Sequence, residues 1–244
     1  MPNLLFTHHT STQSQTPSNT TRSIGLDWPL DAQSEQPFFN RHAFHKEILH
    51  KVPRIVNDDV WTFNSQSSSQ WDGLRHFAYQ KAERFYNNVS LADIHGASAS
   101  NVNGIGAWAA KGIVGRGVLL DYHSWRAAQG RGVDRHHAFR SGSIPLADLL
   151  AVAEWQGTQI KFGDILFVRS GYMASYNEMS REEIEGLRKV MPPTFFGVEQ
   201  SEDLLRWVWE NFSAVAGDQP SFECWRELIM FLVLSFGGRI GRHC

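Results

Sequence analysis

The chain has 244 residues, of which 42% are hydrophobic and 12% aromatic, and its formal net charge is -2. This length and apolar content are sufficient to bury a sizeable hydrophobic core. The charge leaves no basic field to gather phosphates, which excludes nucleic acid as an expected partner. The apolar run at 228–236, LIMFLVLSF, is well short of the ~20 residues of a membrane-spanning helix, so no membrane partner is expected either.

The segment 1–23 is rich in Ser, Thr, Gln and Asn and has few core-forming side chains. It cannot bury enough apolar surface to offset its ordering entropy, so it is predicted to be a disordered arm. It has no basic start and no small-residue cleavage site, which predicts a cytoplasmic protein. From residue 24 onward, apolar residues occur at globular density without a repeat or a long linker. A single domain is therefore predicted over 24–244.

Strand-like and helix-like segments are interspersed along this domain. β-Branched, aromatic and apolar runs bounded by turn residues predict strands at 60–64, 117–122 and 163–172. Apolar periodicity and candidate caps predict helices at 144–157, 180–191 and 201–212. This order predicts a mixed α/β fold with a central β-structure flanked by helices.

The polar stretch SQSSSQWDGLRH (65–76) is the main candidate for chemistry. If 62–72 continues as an extended strand, four side chains project from one face: Gln66, Ser68, Gln70 and Asp72. Gly73 would permit a sharp bend that returns Arg75 and His76 toward the same pocket. Such a site could bind a divalent ion, or His76 could act as a general base. A structural turn of hydrogen-bonded polar residues is the alternative, and on spacing alone it is the commoner one.

The longer run FNSQSSSQWDGLRHFAY (63–79), followed by RFYNN (84–88), resembles the signature of the putative cyclase family, which includes bacterial kynurenine formamidases and isatin hydrolases. The family pattern HxGTHxDxPxH covers residues 66–76, where Asp72 and His76 match it. The positions that depart from the pattern are Gln66, Ser68, Ser69, Gln70 and Leu74. The form SQWDGLRH is most similar to a fungal subgroup, and further similarity runs through 103–122, 163–172 and 212–223.

This resemblance implies a swivelling β/β/α fold, a homo-oligomer (dimer or tetramer) and a small-molecule substrate. It also implies a divalent metal ion, Zn or Mn, that activates water to open an amide, lactam or lactone bond. By the same resemblance, Asp72 is a metal ligand and His76 is the acid/base group. Gln70 stands at a ligand position and would bind through its amide oxygen, which suits hard ions better than zinc.

The resemblance also implies a histidine and a glutamate after the 212–223 stretch that complete the metal site. Arg226 and Glu227 stand at roughly that place, so part of the metal site is expected to be missing. This departure motivates an alternative without a metal cofactor, in which His76 acts as acid/base in a cyclisation, dehydration or isomerisation. A non-catalytic binding protein that retains the fold is the third hypothesis.

The predicted site therefore has three groups of residues. The candidate catalytic residues are Asp72, Arg75 and His76, and the candidate metal ligands are Asp72 and Gln70. The candidate substrate-binding residues, which would form an apolar pocket with few polar groups, are Phe63, Gln66, Trp71 and Tyr86. His123 and Asp218 each follow a strand-like run and stay open between a structural role and a place in a site.

Overall fold

The computed structural model describes residues 24–33, 37–97, 100–131, 136–190 and 193–225. The predicted arm at 1–23 and the tail positions Arg226 and Glu227 lie outside the described residues. The chain forms two compact units, one that runs to Trp71 and one that begins at Asp72. The single domain predicted over 24–244 stays a prediction.

The first unit contains an antiparallel hairpin and two short 3-10 turns. Strands β1 (His45–His50) and β2 (Asn57–Thr62) pair so that His45 lies opposite Thr62, and the turns are Phe38–Asn40 and Ser65–Ser67. Every residue of both strands is solvent-exposed. A two-stranded hairpin alone is at best marginally stable in water, so β1 and β2 need contacts beyond their own pairing.

The chain leaves the extended conformation earlier than the sequence predicts. Strand β2 ends at Thr62, and the expectation of an extended strand over 62–72 is wrong. The reason is local, because the Asn64 side chain accepts a hydrogen bond from the Gln66 N–H at 2.9 Å and starts the 3-10 turn. Asparagine commonly competes with a strand ladder in this way. The alternation that would align Gln66 with Asp72 is therefore absent.

The serines of the polar run hold the first unit together. The Ser67 carbonyl accepts a hydrogen bond from Gln33 Nε2 at 2.6 Å. The Ser68 hydroxyl donates to the Trp28 carbonyl at 2.7 Å, and the Trp28 N–H donates to Ser69 Oγ at 2.8 Å. Ser68 and Ser69 thus satisfy the backbone groups of Trp28, and Ser67 binds the side-chain amide of Gln33, which is the structural alternative left open for this stretch.

The second unit alternates helices and strands. Its strands are β3 (Gly117–Leu120), β4 (Ser143–Ile144), β5 (Asp164–Val168), β6 (Gly197–Val198) and β7 (Phe212–Gly217). Its helices are α1 (Leu91–His95), α2 (Gly106–Lys111), α3 (Tyr122–Ala128), α4 (Leu146–Gln156), α5 (Tyr172–Glu178), α6 (Arg181–Arg188) and α7 (Glu202–Asn211). Two 3-10 turns lie at Tyr86–Asn88 and His137–Phe139. The predicted mixed α/β class is confirmed.

The core of this unit is a three-stranded parallel sheet in the order β3-β5-β7. One face of the sheet carries the buried side chains Val118, Leu120, Leu166 and Val168, which pack with residues of α3, α4 and α7. Parallel strands need such helical crossovers because they cannot be joined by a tight turn. The helix predicted at 201–212 is divided in the structure. Ser201 caps α7, and Phe212 begins β7.

A smaller parallel pair, β4 and β6, positions the end of the described chain. The Cys224 N–H donates to the Val198 carbonyl at 2.8 Å, and Glu223 forms a bridge to Val198. A Cβ atom at Gly197 would lie 2.5 Å from the Glu223 carbonyl carbon, so only glycine allows this approach. The backbone of Glu223 is therefore fixed. Among the described residues, no helix is long and apolar enough to cross a membrane.

Candidate functional site

Asp72 and His76 lie together at the start of the second unit. His76 Nδ1 is 3.7 Å from Asp72 Oδ1, and the side chains are 37% and 34% exposed, respectively. The turn that joins them closes through a hydrogen bond of 3.0 Å from the His76 N–H to the Gly73 carbonyl. The structure thus brings the predicted carboxylate and imidazole into contact range and leaves both accessible to a small molecule.

This geometry defines what the histidine can do. Because Nδ1 faces the carboxylate, Nε2 is the ring nitrogen directed away from Asp72. At this distance the carboxylate can form an ion pair with the imidazolium ring that His76 becomes after it accepts a proton. The pair is therefore suited to general acid–base chemistry.

Glu223 is a third ionisable residue of this region, and the sequence reasoning did not single it out. Burial raises the pKa of the Glu223 carboxyl above its ordinary value and the charge of Asp72 adds to this, while a hydrogen bond with Ser221 and the charge of His76 oppose it. Glu223 therefore lies within electrostatic range of both Asp72 and His76. The only sequence signal was its place at the end of the 212–223 stretch.

Arg75 contacts backbone rather than other ionisable groups of the turn. Its Nε donates to the Val102 carbonyl at 2.5 Å, and Nη2 donates to the Ser100 carbonyl. The planar guanidinium thus binds two carbonyl groups of one loop at once. The observed contacts give Arg75 a positioning role, and its predicted catalytic role stays a prediction.

A cavity of about 220 Å³ lies beside the turn. Gly73 and Leu74 line one side, and the lining of the other side includes Asn101, Asn103, Ile105 and Trp108. Asp72 and His76 belong to the same turn as Gly73 and Leu74 but are not part of the lining. Two residues of the cavity lining, Gly73 and Leu74, therefore lie between Asp72 and His76 in the sequence.

The predicted substrate-binding residues are divided between the two units. Phe63, Gln66 and Trp71 belong to the first unit, as does the predicted metal ligand Gln70. Tyr86 belongs to the second unit, where its carbonyl accepts a hydrogen bond from Asn103 Nδ2 at 2.8 Å. Tyr86 is thereby linked to the cavity lining, and the assignment of the other four residues stays a prediction.

The described residues do not fit the metal ion that the resemblance implies. Across the described ranges, no group of three or more His, Cys, Asp or Glu side chains is placed to hold a metal ion. A catalytic zinc site generally uses three protein ligands. The predicted ligands are one carboxylate, Asp72, and one neutral amide, Gln70, which is a weaker set.

Asp218 has a structural role that the sequence left open. Its carboxylate accepts hydrogen bonds from the N–H and hydroxyl of Ser170 at 2.7 and 2.8 Å, and from the N–H groups of Gly171 and Met173 at 3.2 Å. These contacts cap the beginning of α5. His123 packs against Gly171, whose φ of +98° favours glycine.

Comparisons with known proteins agree with this fold. A crystal structure described as that of a novel cyclase matches with a TM-score of 0.66 and 24% identity, covering 84% of this chain and 68% of that chain. This likeness shows that the protein has a cyclase-type mixed α/β fold. The family described as Putative cyclase matches residues 8–224, and the chain belongs to this family. None of the curated proteins matches it.

Proposed function

We propose that this protein is a small-molecule enzyme in which His76 transfers a proton on a carbonyl compound and Asp72 stabilises the protonated ring. Family membership supports an enzyme, and the observation that carries the proposal is the 3.7 Å approach of Asp72 Oδ1 to His76 Nδ1. The partial exposure of both side chains supports access of a substrate.

The proposed chemistry is a cyclisation, dehydration or isomerisation. His76 Nε2 takes the proton from a carbon next to the substrate carbonyl, and the electron pair of that C–H bond moves toward the carbonyl oxygen. In an isomerisation the imidazolium returns the proton to another carbon. In a dehydration the enolate re-forms the carbonyl and expels hydroxide, which takes the proton. In a cyclisation the enolate carbon attacks a second carbonyl carbon of the same molecule, and the resulting oxyanion takes the proton. The carboxylate of Asp72 offsets the positive charge that His76 carries between the two steps.

Metal-activated hydrolysis of an amide, lactam or lactone is the other reaction predicted from the sequence. The described residues provide fewer ligands than a catalytic metal needs, so no step of the proposed reaction passes through a metal ion. Metal binding stays a prediction, and metal analysis of the purified protein tests it directly.

The experiment that tests the proposed function is a turnover screen with matched histidine variants. The panel contains enolisable ketones, β-hydroxy carbonyl compounds, lactones and aryl amides. We expect wild-type protein to convert a compound of the first two classes and His76→Ala to lose about 10²-fold or more of that rate. His95→Ala, at an exposed position at the end of α1, is the control and should keep full activity.

Two results of the same screen would contradict the proposed function. Full activity of His76→Ala would refute the proposed role of the histidine. Absence of turnover across the panel would favour the third hypothesis, a binding protein that has lost the chemistry of its family.

We further propose that the protein is a homo-oligomer. Support comes from the β1–β2 hairpin, which exposes apolar side chains, among them Ile48, Val60 and Trp61. Ile48 and Trp61 lie on one face of the hairpin and Val60 lies on the other, and a partner chain would cover exposed apolar side chains of this kind. Light scattering after size-exclusion chromatography should give a mass of at least two chains, and a monomer mass at micromolar concentration would contradict the proposal.

A further inference from the structure

The cavity beside the Asp72–His76 turn has the composition of a binding site for a small neutral molecule. Leu74, Ile105 and Trp108 provide apolar surface, while Asn101 and Asn103 provide amide groups. A lining that combines apolar surface with polar groups occurs at small-molecule sites. The lining contains no Asp, Glu, Lys or Arg side chain, so it offers no direct charge pair to an ionic ligand.

The walls of the cavity are held in place by hydrogen bonds. Arg75 binds the carbonyl groups of Ser100 and Val102, which ties the loop to the catalytic turn. The Gly104 N–H donates to the Asn101 carbonyl at 2.9 Å, and a Cβ atom at Gly104 would lie 3.0 Å from the same oxygen. A pre-formed wall lowers the ordering cost of binding.

A second hydrogen bond orients the amide of Asn103. Its Nδ2 donates to the Tyr86 carbonyl at 2.8 Å, so the side-chain oxygen remains as the acceptor of that amide. An acceptor beside apolar walls suits a ligand that carries an N–H or O–H group next to a ring.

The size of the cavity limits the ligand. Its volume of about 220 Å³ is below the ~300 Å³ at which typical ligand pockets begin. One ring with a short substituent fits this space. Ile105 is 41% exposed, so apolar surface is available to cover such a ring.

We propose that this cavity binds an uncharged, single-ring aromatic group of the substrate, with Asn103 as hydrogen-bond acceptor. This inference rests on the proposed function, because the ring belongs to the compound whose proton His76 transfers. The binding step itself requires no turnover and is tested separately.

The test compares three probes and two variants in which an alanine of one helix is replaced by leucine. Acetanilide has a neutral ring with an N–H group, benzoate has the same ring with a negative charge, and acetamide has no ring. Ala107 lines the cavity, and Ala110 lies on the same helix, α2, outside the lining. Binding is measured by ligand-observed saturation-transfer NMR and by 15N chemical-shift titration of the full chain.

We expect acetanilide to bind wild-type protein, with shifts concentrated at 101–108, and benzoate and acetamide to bind at least about tenfold more weakly. Ala107→Leu fills the cavity and should weaken acetanilide binding at least about tenfold, while Ala110→Leu should leave it unchanged. Equal binding by both variants would overturn the proposal, as would no acetanilide binding or equal affinity for the three probes. The circular dichroism spectrum shows whether each variant is folded.

Turnover and acetanilide binding, measured side by side, separate this inference from the proposed function. Normal acetanilide binding by a wild-type protein without turnover would end the proposed function and leave the ring site standing. Turnover that depends on His76, together with acetanilide binding that Ala107→Leu does not weaken, would end the ring site alone.

Discussion

The carboxyl groups of Glu223 and Asp72 lie within electrostatic range of one another. Burial raises the pKa of Glu223 and the negative charge of Asp72 raises it further, against a hydrogen bond with Ser221 and the charge of His76. The folded protein therefore holds a proton on this residue to a higher pH than the unfolded chain does.

The stability of the protein should depend on pH through Glu223. Because its pKa is raised in the folded state, its favourable contribution is complete below the ordinary value of 4.5 and is lost as pH rises through the folded pKa. Glu223→Gln should remove this loss and make the free energy of unfolding less dependent on pH above 4.5. Urea denaturation at several pH values measures it, with exposed Glu210→Gln as the control. Equal pH dependence of wild type and Glu223→Gln would contradict the assignment.

Arg116 should be a strong determinant of stability. Its Nε donates to Asp164 Oδ1 at 2.8 Å and its Nη2 to Oδ2 at 2.5 Å, while the Asp164 side chain is only 3% exposed. Arg116→Met leaves a buried carboxylate without its cation, and we expect a loss of about 3 kcal/mol in the free energy of unfolding. The exposed pair of Arg181 and Glu185 is the control, where Arg181→Met should cost less than about 1 kcal/mol. Similar losses for the two variants in urea denaturation would be inconsistent with this account.

Asp218 should contribute to stability through its hydrogen bonds at the start of α5. Replacement by alanine removes the acceptor of Ser170, Gly171 and Met173, and we expect a cost of about 2 to 3 kcal/mol. Asp218→Asn keeps one carbonyl oxygen and should cost less. Thermal unfolding of both variants measures the difference, and a stable Asp218→Ala protein would argue against the structural role.

Arg75 should affect substrate affinity more than the rate of chemistry. Arg75→Met frees the carbonyl groups of Ser100 and Val102 and loosens one wall of the cavity. We expect a KM about tenfold higher with a kcat changed less than about threefold, which is the pattern of lost ground-state binding. Exposed Arg84→Met is the control. A large fall in kcat at unchanged KM would instead assign Arg75 to the reacting atoms.

Much of the second unit could be predicted from its sequence because the signals there are local. The run GVLLDY gives β3, and Ser201 marks the start of α7 by its capping hydrogen bond to the Leu204 N–H. The Asp72–His76 contact was also within reach, since the two residues are four positions apart on one short turn.

The parts that the sequence did not predict depend on hydrogen bonds and packing over longer distances. Asn64 ends the extended segment through its side chain, an outcome that the β-type composition of the run concealed. Glu223 lies near Asp72 only because the chain bridges back to Val198. Arg75 resembled a catalytic residue by position, but its partners are carbonyl groups 25 and 27 residues away.

In the proposed mechanism, Asp72 acts on the reaction through His76. The most direct measurement is a double-mutant cycle of kcat/KM in chelator-treated protein of known metal content, with the best compound from the turnover screen. We expect His76→Ala to lose about 10² to 10⁴-fold and Asp72→Asn at least about tenfold. The double variant should lose no more than His76→Ala alone, because residues that act as a unit are not additive. Losses that multiply in the double variant, or activity that returns only when a divalent metal is added, would contradict the account.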